Sequence, residues 1–187
     1  MSSLTKKALA VSLKELLLEK PLDKITVGDI TSHVGLNRQT FYYHFVDLAD
    51  LVEYVCVQDA SEALQKNKTY ETWEEGFRSI FLLMKKDKAF IMNIYHSVSK
   101  EQLELYLHKL VYPLLRNVLE SLSKDYSASS EDKDFIAHFY DYSFCGVVLE
   151  WIKGGMKENT DILIKKVSDL MRGSFSLAIR NFSSDKI

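Results

Sequence analysis

Apolar residues recur along this chain at helical intervals, and the intervals reset where a breaker intervenes. Leu9, Leu13, Leu16 and Leu17 stand at i, i+4, i+7 and i+8, one face of a helix from about Leu4 to Glu19. Pro21 ends it, because the residue before a proline is pushed out of the α region. Val27, Ile30 and Val34 repeat at i, i+3 and i+7, a short stripe behind Thr26, where Thr-Val-Gly-Asp has the form of a capping box closed by Asp29. Gly35 then takes positive φ without a Cβ clash. Asn37 can cap a third helix through its side-chain oxygen, and Phe41 and Phe45, four apart, turn one side of it inward.

Asp47 opens a fourth helix that runs to about Lys66, roughly 30 Å, with Leu48, Leu51, Val52 and Val55 as its stripe. Thr72 and Glu75 make another capping-box pattern ahead of Phe77, Ile80, Phe81 and Met84. A shorter helix ends near Ser97. Ser99 and Gln102 start a long one, in which Pro113 is expected to cause a kink or break near Leu110–Tyr112. SKDYSASSED is the most loop-like stretch. Two helices close the chain, about 131–153, ended by Gly154-Gly155, and about 160–182. Both are apolar over more than one face, more than an outer pair in a monomer needs. With 2 prolines and 7 glycines in 187 residues, an all-β fold would lack its turns, and the fold class reads as all-α.

Composition narrows the function. Hydrophobic residues at 47% and charged residues at 27% suit a well-filled soluble core. A net charge of −2 excludes a surface that is basic overall, yet DNA binding needs only local charge. Residues 1–50 hold Lys6, Lys7, Lys14, Lys20, Lys24 and Arg38 against Glu15, Glu19, Asp23, Asp29, Asp47 and Asp50, a neutral balance. Cys56 and Cys145 lie in apolar helical surroundings with no spacing signature, which indicates reduced thiols in a reducing compartment. Metal ligation lacks the clustered partners it needs, so neither metal nor cofactor is expected. The first twenty residues carry charges every few positions and make neither a signal peptide nor a membrane span. The longest apolar run, FCGVVLEWI, is broken by Glu150, and the expected home is the cytoplasm. No glycine-rich phosphate loop, nucleophile–base pair or histidine–carboxylate metal spacing is present, so the chain does not read as an enzyme. Glu74-Glu75 and Glu131-Asp132 are acids at helix N-termini, favoured there by the macrodipole.

The chemistry concentrates between Thr26 and Leu51. Arg38 can present two donors to guanine O6 and N7, and Gln39 can pair with adenine N6 and N7. The Thr40 hydroxyl can reach a base or a phosphate, while Tyr42, Tyr43 and His44 suit phosphates and sugar edges. Asn37 opens that helix, and the amides near Thr26 and Val27 could hold a further phosphate. The pattern alone equally fits a packed corner without DNA contact, with Tyr42 or Tyr43 in a core.

Residues 25–51 resemble the N-terminal domain of the tetracycline-repressor (TetR) family of bacterial regulators. The likeness rests on Val34-Gly35-Leu36 at the turn, then Thr40-Phe41-Tyr42-Tyr43-His44-Phe45, then Leu51. It implies that Arg38, Gln39, Thr40 and Tyr42 face bases while Tyr43 and His44 contact the DNA backbone. It also implies a homodimer, joined through about 131–153 and 160–182, that binds a double-stranded operator. Residues 1–46 would then read DNA and residues 47–187 would sense an effector and dimerise. Leu48 stands where the family often has a phosphate-touching lysine, which implies a shallower salt dependence. The segment FYDYSFCGVVLEWIKGGMKE is similar to a subgroup that includes regulators of dihydroxyacetone-kinase operons. The effector would be a small molecule or a co-regulator protein. Phe81, Tyr95, His96, Tyr106 and Phe139 are candidates for the wall of its cavity, although at helical spacing core packing is the default for the aromatic ones. A rival reading is a protein-interaction module whose C-terminal bundle binds a partner.

Overall fold

The computed structural model describes residues 2–64, 69–122 and 126–183. Within them the chain is helical, with no strand. The order is α1 (Ser2–Glu19), a 3-10 turn (Leu22–Lys24), α2 (Val27–His33), α3 (Arg38–His44), α4 (Leu48–Leu64), α5 (Trp73–Lys86), α6 (Lys88–Ser97), α7 (Lys100–Leu122), α8 (Ser130–Lys153), α9 (Thr160–Met171) and α10 (Ser174–Phe182). The expected end of the fourth helix at Lys66 and part of the SKDYSASSED loop lie outside the described residues. Among the described residues no helix is long and apolar enough to cross a membrane.

Contacts divide the chain into two compact units, Met1–Asp59 with Asp87–Tyr106, and Ala60–Lys86 with Leu107–Ile187. In the first, Leu9, Leu13, Leu16 and Leu17 of α1 are buried, as are Ile30, Phe41, Phe45, Leu51 and Val52. Ser12 sits within the same apolar face, fully buried, and its hydroxyl donates to the Ile30 carbonyl at 3.0 Å, fastening α1 to α2. The unit extends past residue 46 to take in α6. There Asn93 Nδ2 donates to the Leu17 carbonyl at 3.0 Å, while its Oδ1 accepts from Leu22 N–H. One side chain thus satisfies backbone groups that the end of α1 leaves open. Lys14 adds an ion pair to Asp87 at 2.6 Å.

The second unit has an aromatic core. Phe77 and Phe144 meet edge to face with centroids 4.5 Å apart, Phe81 lies against Trp151, and Tyr140 and Trp73 flank Phe175. Such pairs contribute about 0.5–1.5 kcal/mol each beyond their burial. The close of α8 is a Schellman turn: Met156 N–H reaches the Trp151 carbonyl and Gly155 N–H the Ile152 carbonyl, with Gly155 at φ 72°.

Three expectations are corrected. The single closing helix at 160–182 is two helices, because Gly173 adopts φ 75° between α9 and α10. Of the kink or break expected at Pro113, the break does not occur: α7 is continuous through it, with Leu110, Val111, Leu114 and Leu115 buried on both sides, and their packing offsets the lost backbone bond. The Thr72 hydroxyl accepts from Thr69 N–H at 3.1 Å, so it closes a turn before α5 and is turned away from the expected box with Glu75.

Candidate nucleic-acid interface

The α2–turn–α3 corner is specified by short-range bonds. Thr26 Oγ1 accepts from Asp29 N–H at 3.1 Å and Asp29 Oδ2 accepts from Thr26 N–H at 2.8 Å, the complete capping box expected from the sequence. These bonds, with the Lys20 ammonium 3.1 Å away, hold the Asp29 carboxyl at about 2, below its ordinary 3.8. The end of α2 is a second Schellman turn, in which Leu36 N–H bonds the Thr31 carbonyl and Gly35 N–H the Ser32 carbonyl. Gly35 sits there at φ 68°, where a Cβ would be strained. Asn37 Oδ1 then accepts from Thr40 N–H at 2.8 Å and opens α3.

Six of the proposed contact residues are exposed: Thr26 and Asn37, both engaged in caps, and Arg38, Gln39, Tyr42 (58% exposed) and Tyr43 (82%). Tyr43 meets His44 edge to face, and Phe41 on the inner side is fully buried against Phe45. Neither tyrosine is a core residue. The Thr40 hydroxyl donates inward to Asn37 Oδ1 at 3.0 Å, which leaves its lone pairs, not its proton, for an outside partner. The Thr26 amide is engaged by Asp29, so the open amides at the start of α2 are those of Val27 and Gly28. The Arg38 guanidinium lies over Gly28, where an added Cβ would come within 2.7 Å of Nη2. Arg38, Gly28, Thr26, Ser32, His33 and Lys20 line one groove of about 530 Å³.

The basic residues of this unit are largely matched. Lys20 pairs with Asp29, Lys24 with Asp23, and Lys14 with Asp87, while Lys6 lies over the Phe45 and Tyr54 rings. Asp47 and Asp50 are spent on backbone: Asp47 Oδ1 accepts from Asp50 N–H, and Asp50 Oδ2 from Val46 N–H. Among the described residues Arg38 has no carboxylate partner.

The five candidates for an effector cavity fare differently. Phe81 is fully buried in the second unit's aromatic core, and Phe139 in that unit is 63% exposed. Tyr106 is buried in the first unit, its hydroxyl directed to the Ala49 carbonyl. Tyr95 is half-buried there, and His96, exposed, lines a groove of about 740 Å³ with Leu17, Pro21, Met92 and Asn93. Neither groove takes in Tyr95 or Tyr106.

A cluster that sequence reasoning missed lies in the second unit. His108 Nδ1 is 2.6 Å from Asp141 Oδ2, and Cys145 Sγ is 3.5 Å from His108 Nδ1 and 3.4 Å from Asp141 Oδ1. The expectation that neither cysteine has clustered partners therefore fails at Cys145. The i, i+4 spacing of Asp141 and Cys145 was legible, whereas His108 is brought in from α7, 37 residues away. Burial raises the Asp141 carboxyl's pKa, with His108 pulling the other way. A catalytic triad places nucleophile and carboxylate on opposite ring nitrogens. Here both approach Nδ1, so the cluster lacks that relay.

Comparison with known proteins agrees with this layout. Residues 12–55 match the family model "Bacterial regulatory proteins, tetR family", and residues 71–173 match "Transcriptional regulator C-terminal region". The chain is 24% identical over 155 residues to the HTH-type dhaKLM operon transcriptional activator DhaS of Lactococcus lactis subsp. lactis (strain IL1403), covering 82% of each chain. The solved structure of a dihydroxyacetone kinase operon activator DhaS superposes with a TM-score of 0.69 at 24% identity, over 96% of this chain and 98% of that one. The repressor AlkX of Dietzia sp. strain DQ12-45-1b has a TM-score of 0.60 at 13% identity, over 93% and 96%. The repressor NalD of Pseudomonas aeruginosa has 0.56 at 15%, over 99% and 100%. With its helix-turn-helix and its C-terminal region both matched, this chain belongs to the tetR family of bacterial transcriptional regulators.

Proposed function

We propose that this regulator acts in the cytoplasm as a homodimer on a near-palindromic operator. Residues 1–46 read DNA, and residues 47–187 dimerise and receive the signal. The observation that carries the reading role is α3 itself, whose donors Arg38 and Gln39 and hydroxyls Tyr42 and Tyr43 project outward from a buried Phe41. Arg38 leaves Gly28 to take guanine, Gln39 and Thr40 read neighbouring bases, and Tyr42 reaches a base or sugar edge. Tyr43, His44, Asn37 and the Val27 amide hold phosphates. The carboxylate of Asp29 stands beside that amide, so this phosphate contact is the weakest of the set.

Dimerisation is supported by a stripe on α8. Phe135, Phe139 and Tyr142 are each more than 60% exposed and fall on one face, together with Gly146, around which space is open. Leu177 and Phe182 of α10 are exposed as well, and Phe182 lies 5.9 Å from the Phe135 ring. A face of this kind is covered in a stable protein. Phe139 then belongs to the dimer contact and not to an effector wall. Two-fold symmetry sets the reading helices about 34–36 Å apart or at a multiple of that. A ligand or co-regulator that prefers one spacing of the heads changes DNA affinity by that preference. One relative is named an activator and two are named repressors; a single reading head serves either outcome, since the operator's position relative to the promoter decides it.

Mobility shift on the DNA upstream of the chain's own gene tests this. Arg38→Ala is expected to weaken binding about 5–150-fold, the worth of one bidentate base contact. Equal affinity of the two proteins would remove Arg38 from the reading surface.

A further inference from the structure

The cluster on α7 and α8 has the donor set and spacing of a metal site. In a tetrahedral zinc site, with bonds of about 2.0–2.3 Å, neighbouring donor atoms lie about 3.4–3.6 Å apart. Cys145 Sγ stands 3.4 Å from Asp141 Oδ1 and 3.5 Å from His108 Nδ1, so two of the three edges already have that length. The ligand atoms of the three residues all lie within 4.8 Å of one another. Only the 2.6 Å approach of His108 Nδ1 to Asp141 Oδ2 is too close for two ligands, and Asp141 offers Oδ1 instead.

The surroundings favour the charge of a cation. The Asp141 side chain is 1% exposed and Cys145 is buried beside it, so a carboxylate and an ionisable thiol share one dry site. Burying such groups is costly unless they are paired or coordinate a metal. In the single chain His108, edge to face with Tyr142, is partly open to solvent, which leaves room for a fourth, exogenous ligand. One thiolate, one imidazole and one carboxylate suit zinc, cobalt or nickel and not the all-oxygen preference of magnesium or calcium. Three protein ligands with a fourth position open to water differ from the closed, four-ligand set of a structural zinc site.

We propose that His108 Nδ1, Asp141 Oδ1 and Cys145 Sγ form a binding site for a divalent transition metal with zinc-like preferences. On binding, the metal replaces the Cys145 thiol proton, which passes to solvent. The carboxylate turns from its bond with His108 to present Oδ1. The site lies wholly within the second unit and stands apart from the DNA reading, so its test requires no DNA.

Metal-free, full-length protein is titrated with Co²⁺ alone and followed by absorption. The expected result is one equivalent bound per chain, with the strong visible bands of a four-coordinate ion, a near-ultraviolet thiolate-to-cobalt band, and loss of both when Zn²⁺ is added. Cys145→Ser removes the thiolate band, and His108→Gln weakens binding at least about 100-fold, the upper range for losing even an outer-shell partner. Cys56→Ser changes neither. Circular dichroism establishes that each variant is folded; if Cys145→Ser is not, the more exposed His108→Gln and the Cys56→Ser control decide. A featureless wild-type titration, a thiolate band that survives in Cys145→Ser or vanishes in Cys56→Ser, or an unchanged affinity in His108→Gln overturns the proposal.

Discussion

At the α2–α3 corner the long side chains exposed on α3 are Arg38, Gln39, Tyr42 and Tyr43; on α8 and α10 the large apolar and aromatic ones are Phe135, Phe139, Tyr142, Leu177 and Phe182. The two surfaces differ in how water meets them: the donors of the first are hydrated, and the rings of the second are not. The first carries directional donors without carboxylate partners at Arg38, and so is suited to a polar, patterned ligand. The second carries rings on a 24-residue helix that also buries a full inner face, and so is suited to an apolar one. The backbone economy differs in the same way. Helices α2 and α3 have seven residues each and bury only one or two side chains apiece, whereas the 24-residue α8, capped by Ser129 and closed by its Schellman turn, buries nine. Directional donors and exposed rings thereby mark two different kinds of surface.

The largest effect is expected from emptying the small corner. Phe41→Ala removes its central buried ring and is expected to cost about 3–5 kcal/mol in urea unfolding. A loss below about 1 kcal/mol would mean that the corner is held by its caps and not by its core.

Next in size is the apolar surface. Phe139→Glu puts a charge at the centre of the α8 stripe, and a hot-spot loss of about 2 kcal/mol or more weakens the dimer at least about 30-fold. Sedimentation at several concentrations reads this directly. Because Phe139 is exposed in one chain, the variant should retain wild-type helicity. An unchanged dimer with intact helicity would move the interface off α8.

The smallest effect concerns the Asp29 cap. Its carboxyl titrates at about 2 when folded against an ordinary 3.8. A lowered folded value contributes stability that is fully present above 3.8 and lost as pH falls toward 2. The thermal midpoint of wild type should therefore exceed that of Asp29→Asn near neutrality, and the gap should close across that acid window. A gap that is independent of pH would exclude the ionised cap as its source.

What was legible in the sequence was mostly local. The Thr26–Asp29 box, the Gly35 turn, the Asn37 cap and the inward Phe41–Phe45 pair all depend on residues within five positions of one another. Val27 and Val34 show the limit of that reading, since a seven-residue helix buries only its middle, and both are half-buried while Ile30 is fully enclosed. Gly173 was hidden because apolar periodicity continues on either side of it. The His108–Asp141–Cys145 cluster required the pairing of α7 with α8, which no spacing encodes. Ser12 could have been found: a hydroxyl within a leucine face needs a partner, and its partner is the Ile30 carbonyl.

The brevity of α2 and α3 also governs how the helix-turn-helix corner comes into being. Isolated helices shorter than about 12–15 residues are marginal in water, because nucleation fixes several residues for one bond. Neither seven-residue helix persists without the α1 leucines and the Ser12 clasp, so the corner cannot fray on its own and then re-form. It folds and opens together with α1 as one cooperative block. The spacing of the outward side chains of α3 is thus an all-or-none property: they stand complete or not at all.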